Sequence, residues 1–109
     1  MVRSSPVDLP ADHRQAVLKI LRAHLPRSTK AWVFGSRATG RARQYSDLDL
    51  AVDAGRPLTL DEFAGLSDAF SESDLPYRVD LVDWQNIDRR RRQIIMTQRV
   101  ALSETPHPR

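Results

Sequence analysis

Two aspartates separated by one leucine, Asp47 and Asp49 in SDLDLAV, are the residues here whose type and spacing most suggest chemistry. In an extended strand residues i and i+2 point the same way, and a rise of about 3.3 Å per residue leaves their backbones roughly 7 Å apart. Their carboxylates can then converge on one or two hard cations. Magnesium is bound by one or two carboxylates together with waters and the phosphate oxygens of a substrate. Two anions side by side repel each other, and a cation removes that cost. The bland alternative is a solvated strand face, where D-x-D arises by chance, so the neighbouring residues decide.

Upstream, Gly35-Ser36 ends the apolar run KAWVF. A glycine there lets a phosphate approach the backbone, while the serine hydroxyl and exposed N–H groups donate to it. Arg37 adds a charged donor able to fork onto phosphate oxygens. Downstream, Asp80 is the one acid in the middle of YRVDLV. A third carboxylate beside the first two would complete a two-cation site and could draw a proton from an attacking hydroxyl. The spacing of Gly35 and Gly40, with Arg41 next, imitates a P-loop. That motif needs lysine and then a hydroxyl, and here Arg41 and Ala42 stand in their places. Alanine cannot ligate a metal, and too few residues precede the next strand for the long helix that a P-loop opens.

The elements that position these residues follow from periodicity. ADHRQAVLKILRAHL carries Val17, Ile20, Leu21 and Leu25 at helical spacing and is ended by Pro26. KAWVFG reads as a strand stopping at Gly35. DLDLAV alternates, with Leu48, Leu50 and Val52 on one face, and so predicts a half-buried strand. A second helix is expected over TLDEFAGLSDAFSES, where Thr59 and Glu62 have capping-box spacing and Phe63, Leu66 and Phe70 recur at three and four. YRVDLVDW predicts a third strand with Asp80 and Asp83 on opposite faces; its direction relative to its neighbours stays open. NIDRRRRQIIMTQRVALSE predicts a helix, anchored by Ile87, Ile94 and Ile95, and then a short extended piece. The fold class expected is α/β (α+β): a small mixed sheet of three to four strands with helices packed on it.

The unit GSRATGRARQYSDLDL, followed by a strand with an isolated Asp80, resembles the nucleotidyltransferases of the DNA polymerase beta-like superfamily. In its short length the chain resembles the minimal nucleotidyltransferase (MNT) domains that accompany HEPN-domain toxins. The resemblance runs from about Trp32 to Trp84. It implies that Gly35 and Ser36 contact nucleotide phosphates, that Asp47 and Asp49 bind metal, and that Asp80 helps bind metal and activates the nucleophile. Arg37 is assigned by it to the triphosphate. The activity implied is transfer of a nucleoside monophosphate, usually AMP from ATP, to a hydroxyl, with Mg2+ or Mn2+ as the metal. The resemblance further implies a HEPN-domain toxin as partner, with this chain its antitoxin; a contact-only antitoxin is the alternative.

Composition sets outer limits. At 109 residues, with 40% hydrophobic and 28% charged residues, the chain suits one soluble domain over 1–109, its ends at 1–10 and 104–109 loosely ordered. A chain of this size lacks a second wall for an acceptor, which is expected to come from a partner or another copy. No cysteine is present, which excludes disulfides and thiolate metal sites. No apolar run approaches a membrane span and the N-terminus lacks a signal-peptide segment, so the cytoplasm is the default expectation. A net charge of +3 does not announce a nucleic-acid binder. The run Arg89 to Arg92 reads as a solvated or partner-facing surface, and Trp32 and Trp84 as core. His13, His24 and His107 show no ligand spacing. Asp53 is a weaker candidate for a supporting role beside Asp47 and Asp49.

Overall fold

The computed structural model describes residues 7–102. Four strands form one sheet in the order β3-β2-β1-β4: β1 (Lys30–Phe34), β2 (Leu48–Asp53), β3 (Val79–Asp83) and β4 (Val100–Ala101). Helix α1 (Ala11–His24) precedes the sheet, α2 (Ser36–Thr39) is a single turn after β1, α3 (Leu60–Ser71) links β2 to β3, and α4 (Arg89–Gln98) precedes β4. β1 pairs antiparallel with both β2 and β4, whereas β2 and β3 are parallel. The direction left open for β3 is therefore set by its connection. A helical crossover such as α3 carries the chain back to the end of the sheet where β2 began, which permits parallel pairing.

Each helix on the inner face follows from its sequence. α1 buries Val17, Leu18 and Leu21 and stops where Leu25 turns extended before Pro26. α3 opens with the capping box: Thr59 Oγ1 accepts the Glu62 N–H at 3.0 Å and Glu62 Oε1 accepts the Thr59 N–H at 2.9 Å. Its Leu66 and Phe70 join Val17, Leu21, Val33, Leu48, Leu50 and Val52 in the main core. Truncating a fully buried leucine such as Leu50 to alanine costs about 2–5 kcal/mol.

The opposite face is also covered, by Ile95 of α4 together with Phe34, Ala51, Val82 and Trp84. This corrects the expectation that β2 is half-buried: Ala51 is as inaccessible as Leu50, because α4 and the 3-10 turn Trp84–Asn86 close over it. Of the three expected α4 anchors, Ile95 is buried and Ile87 packs partly, but Ile94 is 53% exposed. Consecutive residues lie about 100° apart around a helix, and in α4 only Ile95 is turned onto the sheet.

The segment before α1 is more ordered than expected. Val7 and Leu9 are buried in the main core, and the Asp8 N–H donates to the Arg37 carbonyl at 2.8 Å. Residues 1–6 and 103–109, with His107 and most of the expected loose ends, lie outside the described residues. No helix among the described residues is long and apolar enough to cross a membrane.

Candidate active site

The parallel pairing of β2 with β3 puts Asp49 directly opposite Asp80, and antiparallel pairing puts Asp49 opposite Phe34 on the other side. One row across the sheet thus runs Phe34, Asp49, Asp80, and the turn after Phe34 is Gly35-Ser36. The row faces the same side as Ala51 and Val82, which is the α4 side. Asp80 is exposed, Asp49 partly buried, and Asp47 lies exposed one residue before β2 begins.

The electrostatics of this row are unfavourable as it stands. The Asp49 carboxyl is pushed from 3.8 up to about 6, first by burial, then by the charges of Asp80 and Asp47, and further by a hydrogen bond with Asp80. Arg91 of α4 pulls the other way. Asp49 and Asp80 stand directly opposite each other on the paired strands, while Asp47 acts on Asp49 through its charge. Among the described residues no three acidic or imidazole groups are gathered closely enough to hold an ion without adjustment. The donor set nevertheless fits a hard divalent cation: carboxylates only, held in mutual repulsion that a cation would relieve.

The turn beside the acids is built around glycine. Gly35 sits at φ +73°, where side chains are rarely tolerated, and a Cβ there would run into Asp49 Oδ2. Its carbonyl accepts the N–H groups of Ala38 and Thr39 at 3.0 and 3.1 Å. Gly40, at φ +80°, ends the turn in the left-handed conformation. The N–H groups of Ser36 and Arg37 open the helical turn and have no intrahelical carbonyl to bond. They and the half-buried Ser36 hydroxyl can serve a phosphate oxygen beside Asp49.

Arg37 does not join this set. Its side chain is 3% exposed and its guanidinium is spent on backbone carbonyls: Nε and Nη2 on Ser46 at 3.1 and 2.9 Å, Nη2 on Gln44 at 3.2 Å, and Nη1 on Asp8 at 2.9 Å. It also lies 4.0 Å over the Tyr77 ring, whose hydroxyl meets His13 Nδ1 at 2.7 Å. The expected triphosphate contact is therefore corrected. Arg37 ties the loop that delivers Asp47 to the segment before α1, because carbonyls fit its fork as well as phosphates do.

Two residues near the site had no assigned part in it. Gln98, the last residue of α4, accepts the Gly35 N–H on Oε1 at 3.0 Å. No local pattern marks a neutral side chain 63 positions from its partner. Arg91 belongs to the basic run, whose members part company: Arg92 Nε donates to the Trp84 carbonyl at 3.1 Å, while Arg91 acts on Asp49. Trp32 and Trp84 pack together with ring centroids 5.5 Å apart, and Arg99 lies over both. They are packing groups, as expected. Asp53 and Asp83 belong to the far end of their strands and are hydrogen-bonded there. Two surface hollows, of about 320 and 310 Å3, lie away from the acid row; the second reaches Arg91. The row itself is an open rim.

A glycine-serine turn, an aspartate pair at the start of one strand and a third acid on the next lie at one end of the sheet, and the family model for polymerase beta nucleotidyltransferases matches residues 15–107. The chain belongs to the polymerase beta nucleotidyltransferase family. This nucleotidyltransferase is 41% identical over 104 residues to a Haemophilus influenzae protein named Probable protein adenylyltransferase MntA, covering 95% of this chain and 90% of that one. It also resembles a chain of a toxin-antitoxin crystal structure with AMP-PNP, at 30% identity and TM-score 0.72 over 84% of this chain and 73% of the other. A third relative is a chain in the complex of a tri-AMPylated Shewanella oneidensis HEPN toxin with MNT antitoxin. The match there is 28% identical, with TM-score 0.65, over 88% and 74% of the two chains.

Proposed function

We propose that this nucleotidyltransferase moves AMP from ATP onto a hydroxyl of a partner protein, and that the partner is a HEPN-domain toxin for which it is the antitoxin. The observation that carries the reading is the register of β2 with β3, which sets exposed Asp80 against Asp49 beside the Gly35-Ser36 turn. The protein relatives support the acceptor class: one is named a protein adenylyltransferase, and another match is to a complex that contains an AMPylated HEPN toxin.

Each residue then has a role. The Ser36 hydroxyl and the N–H groups of the turn hold the outer phosphates. Asp47, Asp49 and Asp80 would hold Mg2+ or Mn2+, which when bound supplies charge neutralisation around the triphosphate and polarises the reacting oxygens. An Asp80 carboxylate oxygen takes the proton of the attacking hydroxyl. The hydroxyl oxygen forms a bond to the alpha-phosphorus, the bond from that phosphorus to the bridging oxygen breaks, and pyrophosphate leaves. The open rim suits an acceptor delivered by another chain, which forms the missing wall.

The test is transfer of label from alpha-phosphate-labelled ATP to a co-expressed HEPN-domain protein. Wild type is expected to label it and Asp80→Asn to fall by at least about 100-fold, the scale of a lost general base. Folding of the variant is checked by circular dichroism. Undiminished labelling by Asp80→Asn contradicts the mechanism. Full protection against the toxin by a labelling-dead variant would favour neutralisation by contact.

A further inference from the structure

The Gly35 N–H belongs to the turn that the proposed function assigns to phosphate, yet it already has an acceptor. Gln98 Oε1 reaches it at 3.0 Å from the end of α4. A single N–H makes one good hydrogen bond at a time, so this group is closed to a phosphate while Gln98 holds it. A Cβ on Gly35 would meet Asp49, so the residue itself packs against the acid row. Gln98 is partly buried and is followed by Arg99, whose N–H closes the helix on the Ile95 carbonyl at 2.8 Å. Ile95 is the one buried residue of α4, and Ile94 and Met96 on either side of it are 53% and 56% exposed. Such a helix end can release a side chain without dismantling a core.

We propose that Gln98 is an internal competitor for the nucleotide phosphate: its side-chain oxygen holds the Gly35 N–H and gives it up to a phosphate oxygen. The exchange is favourable because an ionised acceptor makes the stronger bond to the same N–H. Gln98 keeps the donor paired and the turn in its binding shape, at the expense of affinity. It acts by displacement and does not touch the reacting atoms, so it is a positioning residue. The inference rests on the nucleotidyltransfer reading and adds to it a residue that sets nucleotide affinity.

The experiment is calorimetric titration of the whole chain with AMP-PNP and Mg2+, for wild type, Gln98→Met and Gln98→Glu, with thermal unfolding of each variant in the absence of nucleotide. Methionine has the length of glutamine and no comparable acceptor. Removing the competitor is expected to tighten binding about fivefold, the scale of one net hydrogen bond. Glutamate keeps the acceptor and adds a negative charge beside the phosphates, and is expected to weaken binding about tenfold or more. A purely structural Gln98 would lower the unfolding temperature in Gln98→Met and leave affinity unchanged or weaker; that result overturns the inference. If Gln98→Glu binds as tightly as wild type, the inference is likewise overturned. Absence of AMP-PNP binding by wild type would overturn the nucleotide reading itself, which separates the two failures.

Discussion

Strands β2 and β3 carry acids near both of their ends, and the two ends treat them differently. At the far end, Asp83 Oδ2 accepts the Leu58 N–H at 2.8 Å and Oδ1 the Gln85 N–H at 3.2 Å, while Asp53 Oδ1 accepts from Gly55 N–H and Gln85 Nε2 at 2.8 and 2.9 Å. These carboxylates serve the backbone: they hold the turn after β2 and the start of the 3-10 turn after β3. At the near end, Asp49 faces Asp80, with Asp47 adding a third charge, and Asp49 is driven up to about 6. Acids that staple a fold are given N–H donors; acids left in conflict with one another mark a place where a cation or a proton is expected. The same residue type on the same pair of strands is thus paired with N–H donors at one end and set against its own kind at the other.

The largest effect expected from breaking this contrast is on catalysis. Asp49→Asn should lower label transfer by at least about 1,000-fold, combining loss of a proposed metal ligand with a misplaced nucleotide, whereas Asp83→Asn should leave transfer within about threefold of wild type once folded protein is compared. Stability should move in the opposite sense. Asp83→Ala strands two N–H donors in a buried place and should cost about 1–3 kcal/mol in urea unfolding. Arg37→Met, which leaves the carbonyls of Asp8, Gln44 and Ser46 without their shared donor, should cost about 2–4 kcal/mol in the same measurement. Arg37 is predicted to behave as a stability residue, so folded Arg37→Met should keep nucleotide affinity far better than a Ser36 variant does.

The fold was largely legible because its signals are local: alternation in DLDLAV, the Thr59–Glu62 box, and the proline after α1. The Asp47/Asp49 pair was legible from strand alternation, although the strand itself begins only at Leu48. What was not legible depends on distant partners. The adjacency of Asp49 and Asp80 requires the parallel register, which nothing in YRVDLV specifies. Arg37 carries donors that suit a phosphate or a carbonyl equally, and its partners at Asp8 and Tyr77 are far along the chain. Val7 and Leu9 sit in a proline-containing stretch that reads as loose but is clamped by that same arginine. Gln98 sends no local signal at all.

A smaller effect sharpens the contrast through pH. In the metal-free protein Asp49 holds its proton up to about pH 6, while in the unfolded chain it releases it near 3.8. Between those values the folded state binds more protons than the unfolded one, so stability should fall as pH rises from about 4 to about 6 and stay reduced above. Because Asp49 is partly exposed, solvent screening trims the effect to about 1–2 kcal/mol. The difference between wild type and Asp49→Asn across this range isolates it; the variant should be the more stable of the two at pH 7 without metal.

The central claim is that the near-end acids, and not those at the far end, form a cation site. Calorimetric titration with Mn2+ in the presence of AMP-PNP tests it most directly, comparing wild type with Asp49→Asn and Asp83→Asn. The account predicts binding by wild type and Asp83→Asn with closely similar affinity, and its loss in Asp49→Asn. Equal Mn2+ binding by all three proteins would contradict it.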